Sequence, residues 1–173
     1  LFLRWLEEAH KAEEDPELVE ELLERYRKAD DNQRVAPLLA WKINFLTGRK
    51  QLRDVPALLV ELGRMEHGLG HPEKALAALR NAVELDGSFL KGVHALGMLL
   101  FDEGEKEEAF SHFQTLLLRI NELKSKEEKT LVYLRLALIY LDKGDKKRAK
   151  TYLERLLSVD KQHSEAQKLL KNL

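Results

Sequence analysis

The chain of 173 residues contains no cysteine, only four prolines and nine glycines, and no apolar run of membrane-spanning length. Without cysteine there is no disulfide bond, no thiolate zinc site and no cysteine nucleophile, and any cellular compartment is compatible with the sequence. No run approaches the roughly 18 apolar residues of a transmembrane helix, so we expect no membrane insertion by this segment. The scarcity of helix-breaking residues predicts helix along most of the chain.

An excess of positive charge is missing as well, since the formal net charge at pH 7 is -1. Binding to nucleic acid requires an excess of lysine and arginine on one face, so a nucleic-acid partner is not expected. Hydrophobic residues make up 44% of the chain and charged residues 34%. This balance predicts one folded domain or one repeat array. The chain begins with Leu1 rather than methionine, so we expect it to be a segment of a longer protein.

Apolar residues recur at spacings of three and four, which predicts an all-α chain. Three segments also repeat a common pattern of small and large residues, with Gly63, Gly97 and Ala137 as equivalent anchors. A glycine, an alanine and two apolar residues follow each anchor after seven, twelve, sixteen and nineteen residues: Gly70, Ala75, Leu79, Ala82; Gly104, Ala109, Phe113, Leu116; Gly144, Ala149, Leu153, Leu156. Small residues allow two antiparallel helices to approach, and a glycine can end the first helix in a left-handed conformation. The pattern therefore predicts repeated helical hairpins.

This pattern resembles the tetratricopeptide repeat, a helix-turn-helix unit of 34 residues, which is the interval from Gly63 to Gly97. The resemblance implies an all-α fold, an α-solenoid in which antiparallel helical hairpins form a right-handed superhelix. The next interval, from Gly97 to Ala137, is 40 residues, and residues 124–129 supply the difference. Unequal spacings of this kind also occur in long bacterial arrays of the family, to which the chain looks related.

The resemblance divides the chain into consecutive units of one array. Residues 1–15 are expected to be the second helix of a truncated preceding repeat, and residues 164–173 a C-terminal capping helix that begins after an N-cap at Ser164. The expected repeats between them are a degenerate one at 17–50 and three regular ones at 56–89, 90–123 and 130–163.

Catalytic and cofactor-binding motifs are absent from the sequence, which contains no P-loop, no Gly-x-Ser-x-Gly and no His-Glu-x-x-His. His67 and His71 are four residues apart, the spacing of two ligands on one helix face, but Gly68 and Gly70 place a predicted turn between them. We therefore predict that the chain is not an enzyme and binds no metal ion or cofactor.

In the tetratricopeptide family the first helix of each repeat lines a concave groove. The groove-lining positions are six and three residues before the anchor, and one and four residues after it. The resemblance implies that the groove is basic and polar at first and leucine-lined later. Its predicted lining is Ala57, Val60, Arg64, His67, Lys91, His94, Met98, Phe101, Leu131, Leu134, Leu138 and Leu141. In this family, recognition of an acidic C-terminal tail needs lysine and asparagine side chains across the groove. The predicted groove contains no asparagine, and Arg64 and Lys91 are its only residues that are always positively charged at pH 7, so we do not expect a receptor for such tails.

The helix predicted at residues 130–141 is apolar on nearly all sides, so both of its faces must be covered. One explanation is that the terminal segment folds over the inner face through Leu169, Leu170 and Leu173. The other is that this face is the floor of a hydrophobic groove for an amphipathic helix or an extended peptide, with Met98 and Phe101 as adaptable anchors. The two explanations are compatible.

The leading hypothesis is a non-catalytic scaffold that binds a protein or peptide partner in the groove. One alternative is a regulatory or substrate-recruiting segment of a larger enzyme, and another is a spacer between domains. A self-associating module is the third, because residues 1–30 carry ten acids and five bases whereas residues 143–173 carry nine bases and four acids. Opposite charges at the two ends of the chain can steer a head-to-tail homo-oligomer.

Overall fold

A computed structural model describes residues 15–173, and these residues form nine α-helices and one 3-10 turn, with no strand among them. The helices are α1 Pro16–Lys28, α2 Asn32–Gly48, α3 Val55–Gly68, α4 Pro72–Leu85, α5 Leu90–Asp102, α6 Lys106–Leu118, α7 Lys126–Asp142, α8 Lys146–Val159 and α9 Ser164–Lys171, and the 3-10 turn is Ile120–Glu122. The helix predicted at residues 1–15 falls almost wholly outside the described part of the chain.

The helices begin and end where local chemistry favours it. The carboxylates of Asp15, Asp31 and Asp145 accept hydrogen bonds from backbone N–H groups in the first turns of α1, α2 and α8. Such capping satisfies donors that the helix itself leaves unpaired. The N-cap of α9 is His163 and not the predicted Ser164, because the imidazole Nδ1 of His163 accepts a hydrogen bond of 3.3 Å from the backbone N–H of Ala166.

The predicted glycine turns adopt left-handed backbone conformations. Gly70, Gly104 and Gly144 have φ values of +80°, +88° and +74° and follow α3, α5 and α7, respectively. After α1 the same conformation is found at Asp30, with φ +50°, one residue before the Asp31 that the repeat pattern placed at the turn. Aspartate tolerates this region better than most residues with a side chain, which accounts for a turn without glycine.

The helices cluster into two compact units, one ending at Gly92 and the other beginning at Val93. In unit 1, α1 packs on α2, α2 on α3, and α3 on α4. Helices α3 and α4 cross at Gly63, where an added Cβ atom would lie 2.8 Å from Cγ of Leu79 and 3.2 Å from the carbonyl oxygen of Ala75. The small residue at the anchor therefore permits a close antiparallel pair, as the repeat pattern predicts.

In unit 2, α5 approaches α6 at Gly97, where an added Cβ atom would lie 3.2 Å from both the Cβ of His112 and the Cε1 of Phe113. Helix α7 packs on α6 and α8, and α9 packs on α8. The large residues of the repeat pattern form the core of this unit, since the side chains of Phe113, Leu153 and Leu156 are fully buried.

Candidate functional site

Four of the predicted groove residues of unit 1 lie together around a surface depression. This unit 1 depression has a volume of about 370 Å³ and is lined by Ala57, Val60, Glu61, Arg64, Met65, Phe89 and Lys91. Helix α3 supplies most of the lining, and the turn before α5 and the first turn of α5 complete it. His67, which was also predicted to line the groove, is exposed but does not border the depression.

The floor of the unit 1 depression is apolar. Val60 is buried, Phe89 and Met65 are half-buried, and the backbone of Gly92 lies close beneath them. An added Cβ atom on Gly92 would lie 3.3 Å from Cδ1 of Phe89 and 3.6 Å from Cγ2 of Val60. The glycine therefore lets the start of α5 approach α3 and sets the depth of the depression.

The rim of the unit 1 depression carries uncompensated positive charge. Its one acid, Glu61, accepts two hydrogen bonds from the Arg27 guanidinium, at 2.6 and 2.7 Å, so its negative charge is already paired. Arg64 and Lys91 are exposed, and neither forms an ion pair with another residue of the range 15–173. An anionic group next to an apolar side chain would match both the rim and the floor.

The leucine-rich helix α7 contributes to the core of unit 2 on the face that was predicted to line the groove. Leu134 is only 4% exposed and forms one apolar cluster with Ala137 of α7, Leu153 and Leu156 of α8, and Ala166 of α9. Leu138 of α7 and three leucines of the C-terminal segment pack against this cluster: Leu169, Leu170 and Leu173. Side chains of α7, α8 and α9 together form the cluster that buries Leu134, whereas Leu131 and Leu141 are half-buried.

Three of the predicted groove residues of α5 are buried or half-buried. His94 is buried, and Met98 and Phe101 are half-buried. The Arg135 guanidinium of α7 lies 4.6 Å from the centroid of the Phe101 ring and donates a hydrogen bond of 3.1 Å to Asp102. A cation–π contact therefore occupies one face of Phe101. The sequence pattern gave no role to Arg135, although it is the only charge in the middle of an apolar helix.

One of the two turn histidines contacts a carboxylate. Nδ1 of His71 is 2.7 Å from a carboxylate oxygen of Glu66, across the turn between α3 and α4. Within residues 15–173 no three side chains of histidine, cysteine, aspartate or glutamate are grouped so that they could hold a metal ion. None of the helices in this range is long and apolar enough to cross a membrane.

The acidic start of the chain is partly neutralised within the molecule. Glu21 and Glu24 pair with Arg25 and Lys28 one turn later, at 3.1 and 2.7 Å, and Glu20 pairs with Lys42 of α2 at 2.5 Å. Arg25 and Lys28 are already among the five bases of residues 1–30, so of these three pairs only the one with Lys42 adds a positive charge from outside that segment.

Consecutive antiparallel helical hairpins with close crossings at small residues define the class of helical-repeat solenoids. Within that class, residues 56–89 and 131–163 match the family model of the tetratricopeptide repeat, so the chain contains repeats of this family. The fold class predicted from the sequence, an all-α solenoid of tetratricopeptide-type hairpins, is confirmed. No curated protein matches the chain in sequence.

Solved structures with the same fold share little sequence with the chain. A crystal structure of MamA matches with a TM-score of 0.68 and 21% identity, covering 86% of this chain and 80% of that one. A tetratricopeptide repeat protein from Parabacteroides merdae matches with a TM-score of 0.71 and 21% identity over 87% of this chain and 57% of that one. YrrB, described as a tetratricopeptide protein with an unusual peptide-binding site, matches with a TM-score of 0.59 and 18% identity over 96% and 98% of the two chains.

Repeat solenoids present extended surfaces formed by successive units, and tetratricopeptide repeats are in general modules for binding other proteins. The chain therefore belongs among protein-interaction scaffolds, and the geometry of its two units bears on where a partner binds.

Proposed function

We propose that the chain is a non-catalytic scaffold that binds a short internal acidic segment of a partner protein, rather than an acidic C-terminal tail, at the unit 1 depression. The observation that carries the proposal is the combination of two exposed cations, Arg64 and Lys91, with an apolar floor formed by Val60, Met65 and Phe89. In the range 15–173 no side chain neutralises these two cations.

The floor and the rim have different roles in this proposal. Burial of one apolar side chain of the partner over Val60 and Phe89 supplies affinity, because apolar area leaves water. Carboxylates of the partner near Arg64 and Lys91 supply specificity and accelerate association, an effect that salt weakens. A volume of about 370 Å³ lies within the range of small binding sites.

The likeness to other solved structures supports a peptide as the partner. The peptide-binding site named for YrrB belongs to that protein, whose fold resembles this chain. It is an example of a peptide-binding site in a solenoid of this kind, and in our proposal the charges of the unit 1 depression determine which peptides bind here.

The proposal extends to the division of the chain into repeats. We propose that residues 17–50 and 90–123 serve as further repeats of one array with the two matched segments. Ala36 and Ile43, which take the small and large positions of the pattern in α2, are both buried. Ala109 and Leu116 take the equivalent positions in α6 and are fully buried.

The test is a selection of random peptides displayed on phage against the full chain, followed by fluorescence anisotropy with the enriched peptides. We expect enriched peptides to contain aspartate or glutamate next to one large apolar residue. The double variant Arg64→Glu, Lys91→Glu should weaken their binding at least about tenfold, since each attraction becomes a repulsion.

A matched double variant controls for the change in net charge. Lys74→Glu, Lys124→Glu reverses two exposed lysines that do not border the depression, and it should bind the peptides as the wild-type chain does. Enriched peptides without acidic residues, or equal affinity of the wild type and the Arg64→Glu, Lys91→Glu variant, would refute the proposal.

A further inference from the structure

We infer that Arg27 sets the charge preference of the unit 1 depression, because it holds the carboxylate of Glu61 and thereby leaves Arg64 free for an acidic ligand. The inference rests on the proposed function, since the ligand is the acidic segment proposed there. Arg27 lies on α1 and does not border the depression, so it is a positioning residue that acts through Glu61.

Glu61 has two candidate partners in unit 1. Glu61 and Arg64 lie three residues apart on α3, and both line the depression. Opposite charges at this spacing are neighbours on a helix surface and can pair. Instead, the guanidinium of Arg27 donates from Nε to one carboxylate oxygen of Glu61 at 2.6 Å and from a terminal nitrogen to the other at 2.7 Å. Among residues 15–173, Arg64 has no ion-pair partner.

The geometry of the Arg27–Glu61 pair favours it over a pair within α3. Two parallel hydrogen bonds from a guanidinium engage both carboxylate oxygens at once, which is the strongest arrangement for such a pair. The two side chains are 37% and 27% exposed, whereas those of the two ion pairs within α1 are at least 58% exposed. Water and salt therefore screen the Arg27–Glu61 pair less than those surface pairs.

This pair determines how many cations a ligand meets. With Glu61 held by Arg27, both Arg64 and Lys91 are available to the carboxylates of a ligand. A released Glu61 would pair with Arg64 and would also repel those carboxylates, so that one available cation remains. Arg27 precedes Glu61 by 34 residues, the length of one repeat. The charge preference of the depression is thus set by the preceding hairpin.

Solvent exchange of the arginine Nε–H groups, measured by NMR on the full chain, tests the inference without a ligand. In the wild type the Nε–H of Arg27 should exchange slowly and that of Arg64 rapidly. Arg27→Met keeps an unbranched side chain and removes the charge. In this variant the exchange at Arg64 should slow at least about threefold, because Glu61 now accepts a hydrogen bond from it. Unchanged exchange at Arg64 would overturn the inference.

Peptide binding tests the consequence for the ligand. The probe is a labelled acidic peptide enriched by the wild-type chain in the phage selection, followed by fluorescence anisotropy at low ionic strength. Arg27→Met should weaken its binding at least about fivefold, since one attraction is lost and one repulsion is gained. The double variant Arg27→Met, Glu61→Gln should bind within about twofold of the wild type, because no carboxylate then occupies Arg64.

Arg25→Met is the matched control. It removes the same charge from an exposed arginine of α1, whose ion pair with Glu21, at 3.1 Å, does not border the depression. This variant should bind the peptide as the wild type does.

A second cycle separates positioning from a loss of stability. Arg64→Gln should weaken binding at least about fivefold in the wild type but less than about twofold in the Arg27→Met chain, where Arg64 is already paired. If Arg27→Met only destabilised unit 1, the two losses would add and Glu61→Gln would not restore binding.

Three binding results would overturn the inference: equal affinity of Arg27→Met and Arg25→Met, additive losses at Arg27 and Arg64, or no recovery with Glu61→Gln. A selection that enriches no acidic peptide would instead refute the proposed function and remove the ligand assigned here. In that case the exchange at Arg64 still decides whether Arg27 holds Glu61 away from it.

Discussion

Replacement of Gly63 by alanine should destabilise unit 1, even though alanine is the better helix former. The added Cβ atom would lie 2.8 Å from Cγ and 3.0 Å from Cδ2 of Leu79, and 3.2 Å from the carbonyl oxygen of Ala75. The leucine could shift only within a tightly packed core, since it is 3% exposed, and the carbonyl belongs to the backbone of α4. Helices α3 and α4 would therefore have to separate.

The expected magnitude follows from two opposing terms. Inserting a methyl group into a packed core costs about 1–3 kcal/mol. The higher helix propensity of alanine offsets about 0.5–1 kcal/mol of that cost. The midpoints of the two ranges predict that the free energy of unfolding falls by about 1 kcal/mol, measured by urea denaturation of the full chain with circular dichroism.

Gly68 provides the matched control on the same helix. No heavy atom lies within 4 Å of a Cβ atom added there, so Gly68→Ala should gain stability through helix propensity alone, by up to about 1 kcal/mol. In a double-mutant cycle, Leu79→Ala should relieve part of the cost of Gly63→Ala, because the clash partner is gone. The close-crossing argument would be refuted if the Gly63→Ala chain were as stable as the wild type. It would also be refuted if Gly63→Ala and Gly68→Ala changed the free energy of unfolding in the same direction.

Two further predictions concern ionisable groups of unit 2. The hydrogen bond from Lys126, at 3.2 Å, holds the pKa of the Asp160 carboxyl below its usual range. Its stabilising effect is therefore present above the unfolded-state pKa of about 3.9 and is lost as the pH falls through the folded-state pKa, so Asp160→Asn should approach the wild-type melting temperature on acidification. A difference in melting temperature that does not change with pH would contradict this. Burial raises the pKa of the Tyr152 phenol. Stability should then be lost as the pH rises above about 10, the unfolded-state pKa, and thermal melts of Tyr152→Phe should be less sensitive to alkaline pH than those of the wild type. Equal alkaline sensitivity of the two chains would show that Tyr152 is not responsible.

The repeat architecture was predictable from the sequence because it depends on short spacings along one chain. The intervals from Gly63 to Gly70, Ala75 and Leu79 specify a helix, a left-handed turn and the two contacts of the next helix. Each of these features requires only local backbone geometry and a small residue at the crossing. The residue types at these positions are therefore enough to predict them.

The exposure of the predicted groove residues depends on contacts between residues distant in sequence. Family spacing placed Arg64 and Leu134 in the same predicted groove, but Arg64 is exposed on the rim of a depression and Leu134 is 4% exposed within an apolar cluster of α7, α8 and α9. The ring of Phe101 was expected to be an anchor for a partner, yet Arg135 covers one of its faces from a helix more than thirty residues away. Periodicity indicates which residues share a helix face, and only tertiary packing decides whether that face meets solvent or another part of the chain.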